Sequence, residues 1–64
     1  SAKNLVLTEH ARRHAQGEAQ VRVCDEARIL SAWLRREHPE APAIKEKSME
    51  NVIRDQHRTF FPIK

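Results

Sequence analysis

The feature that most constrains the fold of this chain is the apolar pattern of residues 25–38. Apolar side chains recur there at the spacing of one face of an α-helix. They are Ala27, Ile29, Leu30, Trp33 and Leu34. Asp25 suits the N-cap position of such a helix, and Pro39 disfavours helical backbone at His38. We therefore predict a helix over 25–38 that supplies the centre of the core, with Trp33 as its largest apolar anchor.

A second amphipathic helix is predicted over residues 48–60, with Ser48 as its N-cap. Its apolar face is formed by Met49, Val52, Ile53, Gln56 and Phe60. At about 100° per residue the opposite face carries Lys47, Asn51, Arg54 and Arg58. Pro62 ends any helix here, and we expect Phe60 and Phe61 to pack against Trp33 and Val52.

The first part of the chain gives weaker signals. Thr8 is a suitable N-cap for a helix over 8–20, although Gly17 costs roughly 1 kcal/mol relative to Ala inside a helix. Residues 20–24 alternate in polarity as a strand does, but an isolated pair of short strands is poorly stable. A loop or helical link is favoured, with Val21 and Val23 in the core.

Composition supports an all-α fold, because the chain has one Gly and no Tyr and is 39% hydrophobic. At 64 residues it forms a single small domain. We predict a small three-helix domain of helix-turn-helix type, with or without a short extra turn around 43–47. The connector over 38–47 is longer than the tight turn of most such modules. Because the sequence begins at Ser1 without Met, we expect a fragment of a larger protein.

Several classes of protein are disfavoured by the composition. A single Cys cannot form an intramolecular disulfide and fits a reducing compartment, cytoplasmic or, in a eukaryote, nuclear. No apolar run reaches the roughly 18 residues of a membrane span. A chain of this size leaves little room for a large buried pocket, so an enzyme or a small-molecule substrate is not expected.

The exposed face of the last helix predicts a DNA-binding site. Asn can pair bidentately with adenine and Arg with guanine in the major groove. Lysines beside a helix N-terminus can hold a phosphate group. The candidate DNA-binding residues are Lys45, Lys47, Ser48, Asn51, Arg54 and Arg58. The net charge of +3 is too small to identify an anionic partner. Such a domain would serve transcription regulation.

The alternative hypothesis is a helical protein–protein interaction module or a self-associating domain. Phe60, Phe61 and residues 5–7 would then form an exposed apolar patch at one end of the molecule. Arg12 and Arg13 could contact phosphates, but ion pairs such as Glu9–Arg13 explain them better.

A metal site, a cofactor and catalysis all lack a supporting motif. His10 and His14 have a spacing that places both on one helical face, and Cys24 and His38 could join them. A structural zinc site commonly has two or more Cys, and this chain has one. Cys24 is expected to be a buried structural thiol. No Gly-rich phosphate-binding loop is present, and no cofactor or catalytic residue is predicted.

Overall fold

The computed structural model describes residues 1–62 of the chain. It contains three helices, α1 (Ala2–Ala15), α2 (Val23–Glu37) and α3 (Glu46–Phe60), and residues 1–62 include no strand. The predicted small all-α, three-helix fold is confirmed. Within this range no helix combines the length and the apolar character needed to cross a membrane.

The three helices share one core, which is formed by fully buried side chains from each of them. These are Val6, Ala27, Leu30, Leu34, Met49 and Ile53. α3 packs mainly against α2 and less against α1. Trp33 is only partly buried and packs at the edge of this core. The core helix and the buried face of α3 are therefore those that the apolar spacing predicts.

α1 differs from the prediction at both ends. It starts at Ala2, where the Ser1 hydroxyl caps it by accepting from the Asn4 N–H at 3.3 Å, and Thr8 lies inside it. Gly17 does not interrupt the helix but stops it. Its φ of +73° allows the N–H of Glu18 to donate to the Arg13 carbonyl and its own N–H to donate to the His14 carbonyl. This is the usual glycine stop of a helix C-terminus.

The starts of α2 and α3 also lie upstream of the predicted caps. Arg22 and Lys45 are the N-cap residues, and neither makes a side-chain capping bond. Asp25 and Ser48 are instead in the first turns of the two helices, where an acidic group such as Asp25 favours the positive end of the helix dipole. The predicted capping residues indicated each helix correctly, but the predicted starts lie two or more residues downstream of the observed ones.

The links between helices are irregular. Val23 packs against the core, but the Val21 side chain is 70% exposed, so the prediction that both valines are buried is wrong for Val21. Between α2 and α3 the Ser31 hydroxyl donates to the Ile44 carbonyl at 2.6 Å, which ties the connector to α2. Ile44 packs on the core without forming an extra helical turn.

Phe60 and Phe61 pack against histidines and not against Trp33. Phe60 stacks on the exposed His14 ring with centroids 4.0 Å apart, and Phe61 lies 4.9 Å from His57. The Trp33 ring packs against the ring of His38, just beyond the end of α2, with centroids 5.2 Å apart. The predicted aromatic cluster is therefore replaced by one at the C-terminal end of α3.

Candidate functional site

The outward face of α3 carries four of the six candidate residues in a single stripe. Lys47, Asn51, Arg54 and Arg58 are all exposed. At 3.6 residues per turn they fall within an arc of about 60°, and they extend over about 16 Å of helix. The opposite side of α3 buries Met49, Ile53 and His57. The stripe points away from the core because burial of that opposite face fixes the rotation of the helix.

The two remaining candidate residues lie at the start of α3. Lys45 is the exposed N-cap residue and Ser48 is the third helical residue, also exposed. The Met49 N–H already donates to the Lys45 carbonyl, so the N–H groups that lack intrahelical partners are those of 46–48. Ser48 therefore contributes one of these backbone donors, and its predicted role as the N-cap is wrong.

The two arginines of the stripe are loosely held. Arg54 has its nearest carboxylate oxygen, on Glu50, at 3.9 Å, and Arg58 has one on Asp55 at the same distance. These separations exceed hydrogen-bond length, and exposed ion pairs of this kind contribute little stability. Both guanidinium groups thus keep donors for an external anion.

The basic residues of α1 are structural, as their ion-pair interpretation predicts, although the partners differ from those expected. Arg13 donates to both oxygens of the fully buried Glu26, at 2.8 and 3.0 Å, which raises the pKa of the guanidinium. Arg12 pairs with Glu9 at 2.9 Å, and this hydrogen bond lowers the pKa of the Glu9 carboxyl. These contacts occupy both arginines of α1 with carboxylates of the chain itself.

A hydrogen-bonded chain of two buried histidines and the partly buried Gln56 joins α1 to α3 behind the stripe. The Gln56 amide donates to the Leu7 carbonyl at 3.1 Å and to His10 Nδ1 at 2.8 Å. His10 must then carry its proton on Nε2, which donates to His57 Nδ1 at 3.0 Å. His57 Nε2 in turn donates to the Val21 carbonyl at 2.8 Å. We call Gln56, His10 and His57 the histidine relay.

The hydrogen bonds of the relay require His10 to be neutral. A second proton on His10 would place an N–H on Nδ1, directly against the Gln56 amide donor. Burial lowers the pKa of His10 to about 4, with the nearby Glu26 carboxylate opposing the shift and His57 adding to it. The ring is thus neutral at physiological pH.

The sequence alone does not indicate the relay or the buried position of Glu26. Periodicity carried part of the signal, since His10 follows the buried Val6 by four residues and Glu26 precedes the buried Leu30 by four. From the sequence alone, a polar residue at such a position can be either buried or exposed. His10 and His57 are 47 positions apart, so only the tertiary fold pairs them.

The predicted apolar patch at one end of the molecule is divided in the structure. Val6 is fully buried, and Leu5 lines a shallow groove beside Trp33 and His38. Phe60 and Phe61 line a different groove with Val21. The predicted patch is therefore distributed over two grooves.

Metal-ligating and nucleophilic side chains are dispersed. Among residues 1–62 no three His, Cys, Asp or Glu side chains are grouped so as to hold a metal ion. Cys24 is only half-buried near the start of α2, so the expectation of a buried thiol is wrong, and its sulfur lies 3.9 Å from the Asp25 carboxylate.

Comparisons with protein-family models, with curated proteins and with solved structures give no match to this chain.

Proposed function

We propose that this domain binds DNA by presenting the outward face of α3 to the major groove. Lys45 and Lys47, with the free N–H groups of the first turn, contact phosphates. Asn51 and Arg54 read base edges, and Arg58 contacts the duplex one turn further along. The domain then belongs to a larger or dimeric transcription regulator, which acts in the cytoplasm of a prokaryote or the nucleus of a eukaryote.

The observation that carries this proposal is the polar stripe of α3. A helix with its side chains is about 10–12 Å wide, which fits the roughly 12 Å width of the major groove. The stripe combines an amide suited to adenine with guanidinium groups suited to guanine. Its arginines are loosely paired, whereas Arg12 and Arg13 are held by carboxylates. Base-reading chemistry is thus present on a helix face that is open to solvent.

The direct test is fluorescence anisotropy of labelled duplexes of mixed sequence at low salt. Arg54→Ala should cost about 1–3 kcal/mol of binding free energy and relax the preference at one base position. Lys47→Ala should weaken binding to all sequences alike and reduce the salt dependence. The matched control is Arg35→Ala, which removes the same charge from an exposed position on α2.

A nitrogen-edited NMR titration with the same duplexes locates the contact. Chemical-shift changes should be concentrated at residues 45–58 on the exposed side of α3. The proposal is wrong if no duplex binds at low salt. It is equally wrong if Arg35→Ala weakens binding as much as Arg54→Ala does, because attraction would then be a general effect of charge.

A further inference from the structure

An open apolar groove lies where the end of α3 meets the loop before α2. Its volume is about 670 Å³, and its apolar walls come from Val21, Val23, Phe60, Phe61 and Pro62. The floor includes the imidazole of the buried His57. Val21 is the one large apolar side chain among the described residues that is mostly exposed, at 70%. Exposed apolar surface beside a concave site is typical of a binding surface.

The walls of the groove are held in place before any partner arrives. Phe60 stacks flat on His14, with ring planes 2° apart, and Phe61 packs against His57. The Val21 backbone is fixed through its carbonyl, which accepts from His57 at 2.8 Å. A partner therefore incurs little ordering cost on this side of the contact, which favours affinity.

The charged groups that line the groove are both basic. Arg54 and Arg58 contribute to its edge, and no carboxylate is among the lining residues of the described chain. Glu50 and Asp55 each lie 3.9 Å from one of these guanidinium groups, too far for a hydrogen bond. Aromatic rings with adjacent arginines are also the residues that contribute most to protein interfaces.

We propose that this groove binds an acidic peptide segment that carries a large apolar anchor. The anchor fills the space between Val21 and Phe61, and carboxylates of the peptide accept from Arg54 and Arg58. A symmetric dimer through this groove would bring the arginines of two copies together without a carboxylate in the lining. A duplex offers anions but no side chain to fill an apolar groove.

The proposal goes beyond DNA binding and stands on a different observation, the apolar groove. Arg54 and Arg58 belong to both surfaces, so the discriminating variants are elsewhere. Val21→Ser changes only the groove, and Lys47→Ala changes only the helix start. Peptide binding is measured without DNA. A failed peptide experiment therefore leaves the DNA proposal untouched, and the reverse also holds.

The experiment uses the full chain and a short fluorescein-labelled peptide of Asp and Glu that contains adjacent Leu and Phe. Saturable binding by anisotropy is expected. Val21→Ser should weaken it about tenfold, the loss expected for one buried Val side chain. Joint Arg54→Gln and Arg58→Gln should also weaken it and flatten its salt dependence. Arg35→Gln is the matched charge control and should leave affinity unchanged.

Four results would overturn the proposal. The first is equal binding of a peptide with Ser in place of Leu and Phe, which would mean that charge alone attracts the peptide. The second is a Val21→Ser variant that has an unchanged circular dichroism spectrum and binds the peptide with the affinity of the parent. The third is self-association in sedimentation that Val21→Ser abolishes, which would mean that a second copy of the chain fills the groove. The fourth is a shift of the Ile63 methyl NMR signals in Val21→Ser without peptide, which would mean that the end of the chain itself covers the groove.

Discussion

Glu26 has no solvent exposure, and its two oxygens accept three hydrogen bonds. Two come from Arg13, and the third comes from the Gln20 N–H at 2.9 Å. One carboxylate thus holds the end of α1, the loop and the start of α2 together. These three hydrogen bonds offset the free-energy cost of burying the Glu26 carboxylate. Loss of either Glu26 or Arg13 is therefore expected to lower the free energy of unfolding.

We expect Glu26→Gln to destabilise the fold by about 3 kcal/mol, because the mostly buried Arg13 keeps only the half-exposed Glu18 carboxylate, 3.9 Å away, as a counter-charge. The substitution keeps the volume, so packing is not the cause of the loss. Urea unfolding followed by circular dichroism measures it. Glu9→Gln is the control, since it breaks an ion pair with the exposed Arg12 and should change stability far less. Similar losses in both variants would contradict a special role for Glu26.

Gly17 is the other single residue on which a helix end depends. Its φ of +73° lies in the left-handed region, and the space beside it is open, with no neighbouring atom within 4 Å of the position that a Cβ would take. We expect Gly17→Ala to cost roughly 1 kcal/mol from backbone strain alone. Gly17→Asn should cost less, because Asn tolerates this conformation. Equal unfolding midpoints for Gly17→Ala and the parent would contradict this account.

At the scale of elements, the histidine relay links α1, α3 and the loop at Val21. The groups around His10 are Gln56 and His57, the Phe60 ring, and the charges of Arg13 and Glu26 with the nearby His14. Burial lowers the pKa of His10 in the folded state from 6.5 to about 4. Between these values the unfolded chain binds a proton that the folded chain does not.

Stability is therefore expected to be fully present above about pH 6.5 and to fall as the pH drops towards 4. One such proton changes the free energy of unfolding by at most about 1.4 kcal/mol per pH unit. The Glu9 carboxyl, whose pKa is lowered, loses its contribution only at more acidic pH. Urea unfolding at several pH values measures the slope.

The control for the pH dependence is His38→Gln, because the side-chain hydrogen bond of His38 is to the exposed Glu40. It should preserve the slope, whereas His10→Gln should flatten it. A slope of equal size in His10→Gln would assign the effect to other groups.

At the scale of the whole molecule, a 64-residue domain has little stability to lose. At about 0.05–0.15 kcal/mol per residue, the total is roughly 3–10 kcal/mol for a chain of 64 residues. Leu30 is fully buried in the one shared core, and a Leu→Ala change at such a site costs about 2–5 kcal/mol. Burial of six core side chains thus sustains all three helices at once.

We therefore expect Leu30→Ala to unfold a measurable fraction of the chain at 25 °C, with loss of helical signal in all three helices together. Circular dichroism and NMR line counts check this. Met49→Leu is the volume-conserving control at an equally buried site and should cost less than about 1.5 kcal/mol. Loss of α1 alone in Leu30→Ala would contradict a single cooperative core.

Local sequence determined the number of helices, their approximate positions and which side of α2 and α3 is buried. Apolar spacing sufficed for this, because helix packing selects one face and Leu30, Leu34, Met49 and Ile53 fall on it. The same spacing also placed Lys47, Asn51, Arg54 and Arg58 on the exposed side. Their proposed role in binding DNA is what the duplex titrations test.

Only the tertiary structure decided how polar groups are paired and where apolar surface remains open. The His10–His57 and Arg13–Glu26 contacts join residues that are distant in sequence, and either pair could have been solvated in another arrangement of helices. The Val21 carbonyl accepts from the buried His57 while the Val21 side chain is 70% exposed, and the polarity pattern of residues 20–24 indicates neither. Periodicity records which faces of a helix are apolar, but hydrogen-bond partners depend on distances that only the packed helices fix.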